Sequence, residues 1–417
     1  MPIGWNLPPA ASPISCKDLL RAIGGGIDES RALKRFSQSV QQYFGVDHVF
    51  LVSSGTAAVS LVLKALKQKN TGKDCVITPA YSCYSVLSAI HAAKLRPAFC
   101  DVDPQTLDFD YDDLSRCLCS HKNRTVAIIA AHLYGIPASI SRIRSIIGQD
   151  GPPIIEDAAQ AMGACFSGTL AGASGDIGVF SLGRGKAVSA VEGGIILTNN
   201  PNYALSLRRV IERLSAYSIR DKTAVIVKAF LMTAFLPPSR YWVPMGLPFL
   251  RLGETIYTPL SFVKKMSGAQ AGLMADWPRK LSMLKSIRKR NAEEWMQHIP
   301  PAVTDTFKDL DLGALIRYPT YVSDKQIRQN LLSFSSKTGL GLRSGYPSPI
   351  SSLPSVSNHT TVQRFAGAQT CCDHLVTLPN HQYVTRDTFA LVKHIFSELG
   401  QVSRTRMATN QDNVPDE

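Results

Sequence analysis

A chain of 417 residues with 45% hydrophobic side chains can bury a large core in about two domains and is not a disordered polymer. Its net charge of +13 calls for an anionic partner without choosing among nucleic acid, a membrane surface and a phosphorylated small molecule. The opening MPIGWNLPP does not read as a secretory signal, and nine cysteines with no Cys-x-x-Cys pair fit free thiols, so a cytoplasmic protein is expected. The nine histidines are scattered, and no metal site is expected.

From His48 to Asn199 short apolar runs alternate with helical stretches, which is how a parallel sheet covered on both faces is written. The runs His48–Ser53, Cys75–Thr78, Pro97–Val102, Val126–Ala130, Pro153–Glu156, Ile177–Ser181 and Gly194–Thr198 are predicted strands. Thr56–Lys67, Tyr84–Lys94, Tyr111–Cys119 and Ser139–Ile147 are predicted helices. The alternation implies a doubly wound α/β domain, with its ligand site at the carboxyl ends of the strands.

After Asn200 the rhythm breaks. Between Leu205 and Leu252 eight basic residues (Arg208, Arg209, Arg213, Arg220, Lys222, Lys228, Arg240 and Arg251) face two acidic ones, Glu212 and Asp221. Within that span Ala224–Leu236 is apolar but stops at Pro237-Pro238, short of the about 20 residues a spanning helix needs. Two readings stay open for residues 224–252. One is a contact with a second subunit. The other is a bilayer interface entered by Phe230, Leu231, Phe235, Tyr241, Trp242 and Phe249, with Arg208, Arg209, Arg213, Arg240 and Arg251 on anionic head groups. A helical pattern resumes from Ser267 to about His298, the rest to Leu399 alternates strand and helix signals, and the end from Arg404 to Glu417 is polar and expected to fray. The expected division is an N-terminal arm (1–27), a large domain (28–222), an apolar and basic insertion (223–266), a small C-terminal domain (267–403) and a tail (404–417).

Three segments carry chemistry. Ser53-Ser54-Gly55-Thr56 ends a strand and opens a helix, where amide N–H groups favour a phosphate, although an ordinary helix cap is written the same way. Pro153-Ile-Ile-Glu156-Asp157-Ala-Ala-Gln160 ends an apolar strand in two carboxylates, one of which can pair with a protonated ring nitrogen or merely cap the next helix. In Gly183-Arg184-Gly185-Lys186 the lysine stands between two strands and can form an imine once deprotonated. It is not a nucleotide P-loop, because Phe180 stands where the leading glycine is needed and Ala187 where a Ser or Thr is needed.

In order and spacing these segments resemble the DegT/StrS sugar aminotransferases of the fold-type-I pyridoxal-phosphate enzymes, from about Asp28 to Leu399. Further landmarks are Asp101-Val-Asp-Pro104, His132-Leu-Tyr134-Gly135-x-Pro137, Phe180-Ser181 and Leu378-Pro379. The resemblance implies an aspartate-aminotransferase-like α/β fold: a large doubly wound, mostly parallel sheet domain and a smaller C-terminal α/β domain. It also implies pyridoxal 5'-phosphate held on Lys186 as a Schiff base, with Asp157 on the pyridine nitrogen, Gln160 on the phenolic oxygen, and Gly55, Thr56 and Ser181 on the phosphate.

Where the family usually stacks an aromatic side chain on the cofactor ring, this chain has Cys83, so Tyr84, Tyr81 or Cys83 itself must serve; Tyr84 joins the expected cofactor-binding set. Val263 and Lys265 stand where many members place an Asn and an Arg that cross a dimer interface. His132, Tyr134 and His381 are expected to be structural. The expected partners are an amino-acid donor such as glutamate, a keto-sugar carried on a nucleotide, and a second copy of the chain. Related sugar dehydratases have a histidine in place of the lysine, so Lys186 argues for transamination. A non-catalytic, membrane-peripheral protein of the same fold is the other alternative, while nucleic acid is not expected, for want of a helix-turn-helix or of interleaved aromatic and basic residues.

Overall fold

The computed structural model describes residues 4–250, 252–302, 310–357 and 365–411; Arg251 and residues 412–417 of the expected tail lie outside them. Seven strands form the main sheet: β1 (His48–Val52), β2 (Cys75–Pro79), β3 (Arg96–Cys100), β4 (Thr125–Ala131), β5 (Ile154–Asp157), β6 (Ile177–Ser181) and β7 (Gly194–Thr198). Their order is β1-β7-β6-β5-β4-β2-β3. Only β7 runs against its neighbours, pairing antiparallel with β1 and β6, while β6, β5, β4, β2 and β3 are mutually parallel. The strands form where composition demands them. β4 reads TVAIIAA and is buried along its whole length, as a central strand covered on both faces must be.

All seven predicted strands and the four predicted helices exist, with ends shifted by a few residues at most. After α1 (Cys16–Ile27) and α2 (Glu29–Phe44), helix α3 (Gly55–Lys69) starts at Ser54, whose side chain accepts from the Ala57 amide, and its Ala, Val and Leu positions pack on the sheet. One prediction changes. The single helix expected from Ser267 to His298 is two, Gly268–Leu273 and Trp277–Met296. Pro278 has no N–H to give the carbonyl of Met274, so a continuous helix breaks there and the proline sits in the first turn of the second helix instead.

That second helix joins two cores. Trp277, Leu281 and Leu284 pack with Phe36, Phe44 and Phe180 beside the main sheet, whereas Ala292 and Trp295 pack with Tyr318 and Leu378 of a smaller antiparallel sheet. The smaller sheet contains β8 (Arg317–Tyr321), β9 (Arg343–Ser344) and β10 (Leu375–Pro379), in the order β8-β10-β9. The last helix, Arg386–Gln411, continues past Arg404, so the backbone stays helical where fraying was expected.

Residues 219–250 form a helix, Ile219–Phe235, and after Pro237 a shorter one, Pro238–Met245. No helix among the described residues is long and apolar enough to cross a membrane, as the length of Ala224–Leu236 required. Phe230 and Phe249 are exposed. Tyr241 departs from the bilayer reading, because it is half-buried and set near Arg184, Arg317 and Arg343 of this same chain.

Candidate active site

The carboxyl ends of β1, β2, β4, β5 and β6 bring the predicted residues to one edge of the sheet. β1 hands the chain to Ser53-Ser54 and α3, whose first residue Gly55 is so near β6 that a Cβ there would stand 2.8 Å from the Cβ of Ser181. Only glycine allows this approach, and it sets the Ser181 hydroxyl beside the helix N-terminus. The Ser54 side chain takes the third amide of the helix. The amides of Gly55 and Thr56 then face outward as donors at the positive end of the helix dipole.

Glu156 and Asp157, adjacent at the end of β5, project to opposite faces of the sheet and do different work. Glu156 is buried and accepts the Gly172 amide at 2.8 Å, the Ser174 amide at 2.7 Å and the Gly175 amide. His132 completes its shell at 2.9 Å. The Ala138 amide donates to His132 Nδ1 at 2.8 Å, so the proton resides on Nε2 and is given to Glu156. Burial pushes the Glu156 carboxyl up, but His132 and the loop amides outweigh it and hold it below its ordinary range. His132 is structural, as expected, and Glu156 anchors the loop 172–175.

Asp157 keeps its carboxylate toward the site. One oxygen accepts the Ala159 amide at 3.2 Å. Burial raises its carboxyl above the ordinary range, against the nearby charge of Lys186, the Ala159 amide and His132. Lys186 lies in the loop between β6 and β7, and its carbonyl is tied to the N-terminal arm by the Ser12 hydroxyl. No carboxylate among the described residues forms an ion pair with its amine. Gln160 Oε1 accepts the Tyr134 amide at 3.1 Å, and Gln160 Nε2 donates to the Tyr346 hydroxyl at 2.8 Å.

Tyr346, which the sequence reading missed, comes from the loop after β9. It is buried, its phenol is pushed well above the usual range chiefly by burial, and it lies near Cys83, Tyr134 and Asp157. Its ring contacts those of Tyr81, Tyr84 and Tyr134 at centroid distances of 5.1, 6.4 and 6.4 Å. Tyr81 bonds the Tyr134 hydroxyl and the Tyr346 amide, while the Tyr84 hydroxyl reaches Ser348 at 2.8 Å. Cys83 is partly buried against the same group. Only the run of aromatic residues in Tyr81-Ser-Cys-Tyr84 hinted at this cluster.

His381 is buried and tied to the Pro8 carbonyl at 2.7 Å; burial pushes it down to about 4, so it is neutral and structural. Val263 packs on the core behind α3, and Lys265 bridges Val52 through its backbone.

A phosphate fits the N-terminus of α3 with Ser181, and the Asp157 oxygen left without a partner among the described residues fits a protonated pyridine nitrogen. Lys186 stands close enough to Asp157 to influence its charge. This donor set suits pyridoxal phosphate, and among the described residues no group of side chains suits a metal. Fold and site together define the class of fold-type-I pyridoxal-phosphate enzymes. The chain belongs to the DegT/DnrJ/EryC1/StrS aminotransferase family, which its residues 21–397 match, and the cofactor of that family is pyridoxal phosphate.

One relative, the L-glutamine:2-deoxy-scyllo-inosose aminotransferase of Streptomyces paromomycinus, is 35% identical over 44% of this chain and 41% of its own length. The chain spans between 41% and 62% of the length of the curated relatives it matches. Among solved structures, the sugar aminotransferase CalS13 of Micromonospora echinospora superposes with a TM-score of 0.74 at 19% identity, covering 94% of this chain and 99% of that one. DesI, solved in the presence of its TDP-sugar product, gives 0.74 at 19% identity, covering 98% and 96%.

Proposed function

We propose that this protein is a pyridoxal-phosphate-dependent aminotransferase that moves an amino group from an amino acid such as glutamate to a keto-sugar. The observation that carries the reading is the meeting of Lys186, Asp157, Gln160, Ser181 and the free N-terminus of α3 at one sheet edge in a chain of this family. When bound, pyridoxal phosphate supplies an electron sink for the substrate carbon that loses its proton. Asp157 would keep the ring nitrogen protonated, Gln160 would orient the ring through its phenolic oxygen, and Gly55, Thr56 and Ser181 would hold the phosphate. Lys186 would hold the cofactor and carry the proton between the substrate carbon and C4′. Tyr84 and Tyr346 would shape the wall against the ring. The lysine favours transfer over the dehydratase alternative.

For the acceptor, the name of the Streptomyces relative puts L-glutamine and 2-deoxy-scyllo-inosose in that protein's reaction, while the product of DesI is a TDP-sugar. Both support a ketone on a polyhydroxylated ring, and the positive charge of this chain favours one linked to a nucleotide diphosphate. Borohydride treatment of the purified yellow protein, followed by peptide mapping, should place the reduced cofactor on Lys186; attachment to another lysine would overturn the reading.

A homodimer is part of the proposal. Leu20 and Ile27 on helix Cys16–Ile27, and Ile219, Phe230 and Leu231 on helix Ile219–Phe235, are exposed apolar side chains on packed helices. Sedimentation at assay concentration should give twice the chain mass of 45.4 kDa. An active monomer would count against it, and cosedimentation of that monomer with anionic vesicles at low salt would make this face a membrane contact.

A further inference from the structure

Tyr81, Tyr134, Gln160 and Tyr346 close a circuit of hydrogen bonds on themselves. The Tyr134 amide donates to Gln160 Oε1 at 3.1 Å, and Gln160 Nε2 donates to the Tyr346 hydroxyl at 2.8 Å. The Tyr346 amide donates to the Tyr81 hydroxyl at 3.2 Å, and the Tyr81 hydroxyl meets that of Tyr134 at 3.1 Å, which returns the circuit to its start. Tyr81, Tyr134 and Gln160 follow β2, β4 and β5 of the main sheet, whereas Tyr346 follows β9 of the smaller one, so the circuit joins the two sheets.

The backbone is bent to make these bonds. Tyr134 has a φ of 59°, in the left-handed region that a tyrosine rarely enters. It is held there from both sides: its amide is given to Gln160, and its carbonyl accepts the amide of Ile316, just before β8, at 3.0 Å. Such a conformation persists at a site where the surroundings over-determine it. Gly345 lies so close to Tyr81 that a Cβ there would collide with the phenolic oxygen, and only a glycine lets the Tyr346 amide reach it. Burial pushes the phenols of Tyr81, Tyr134 and Tyr346 up, so all three stay neutral.

The circuit settles the orientation of one carboxamide. A backbone amide can only donate, so the Gln160 oxygen must face Tyr134 and its nitrogen must face Tyr346. One hydrogen of that nitrogen goes to Tyr346, and the other has no acceptor among the described residues. The two N–H bonds of a carboxamide lie in one rigid plane, and fixing the direction of one fixes the other. We propose that Tyr346 is a positioning residue for transamination: its hydroxyl holds one hydrogen of the Gln160 amide and thereby aims the other at the phenolic oxygen of the cofactor. The proposal rests on the aminotransferase reading, with Gln160 as the donor to that oxygen. A phenylalanine would wall the site equally well; the hydroxyl is what closes the circuit. Because Tyr346 comes from the smaller sheet, the place of that sheet is tied to the hydrogen bond on the cofactor.

The test uses the loaded enzyme and reads the pH at which the visible absorbance of the bound cofactor changes. A donor on the phenolic oxygen favours its charged form and lowers that pH, and loss of the donor raises it. Tyr346→Phe keeps the aromatic ring and the amide, and should raise the midpoint by about 0.5 to 1 pH unit, the scale of a weakened hydrogen bond to a charged group. Gln160→Ala should raise it at least as far. Tyr81→Phe, which opens the circuit one member further on, should move it the same way by less. In the Gln160→Ala background Tyr346→Phe should add nothing, because a residue that acts only through Gln160 has nothing left to position. Turnover of Tyr346→Phe should fall about 3- to 10-fold, with half-saturating donor concentration within about twofold of the wild type. An unmoved midpoint in Tyr346→Phe beside a shifted one in Gln160→Ala would overturn the proposal. So would shifts that add in the double variant, since Tyr346 would then act on the cofactor directly. An unmoved midpoint in Gln160→Ala would overturn the proposal together with the Gln160 contact beneath it. A wild type that shows every shift but transfers no amino group would uphold the positioning role and overturn the aminotransferase reading.

Discussion

Replacing Lys186 by alanine should leave a folded protein whose transamination rate is lower by at least about 10⁴-fold, because the covalent anchor of the cofactor and the proton carrier are lost together. The fold should survive. The tertiary hydrogen bond at this position is made to the Lys186 carbonyl by the Ser12 hydroxyl, and an alanine retains that carbonyl. The amine forms no ion pair with the acids of the described residues, so its loss should cost no more than a typical surface substitution, within about 0.5 kcal/mol. The measurement is paired: turnover with donor and keto-sugar, and the thermal midpoint of the same preparation. Loss of turnover with an unchanged midpoint places Lys186 in the chemistry. Activity near the wild-type level would remove it from the reaction.

The features legible in the sequence are those that depend on local rules. β4 and β5 are apolar runs buried on both faces, α3 has its cap and its periodicity, and Asp157 and Ser181 occupy strand ends where an α/β site forms. The residues that sequence alone does not single out are those whose meaning depends on pairing. Tyr346 lies far along the chain from Lys186 and belongs to no periodic element, yet it bonds Gln160. Glu156 and Asp157 look alike as neighbours, and only the alternation of a strand, with the loop 172–175 folded beneath, gives them different tasks. The segment from Ser267 reads as one helix because its periodicity continues across Met274, whereas Pro278 stops the hydrogen bonding without disturbing the pattern of apolar residues.

Asp157→Asn should separate function from stability in a single residue. Burial is the largest influence on this carboxyl and raises it, against Lys186, the Ala159 amide and His132. A carboxyl raised on folding contributes its full stability below the carboxylate range of the unfolded chain, and loses it as pH rises through the folded value. In the cofactor-free protein the charged form of Asp157 is therefore held at a cost, which a cationic ring nitrogen would offset. Asparagine keeps the oxygen that accepts the Ala159 amide and removes the charge. The cofactor-free Asn variant should then be at least as stable as the wild type at neutral pH, with the difference shrinking in acid. The same change should slow transamination about 10²- to 10³-fold, the scale seen when one preorganised electrostatic contact is removed, because a neutral amide cannot hold the ring nitrogen's proton. Thermal midpoints of both cofactor-free proteins across the acidic range, together with turnover of both loaded enzymes, decide the matter. Equal turnover would detach Asp157 from the ring nitrogen, and a less stable variant at neutral pH would show that its charge is already satisfied by the protein.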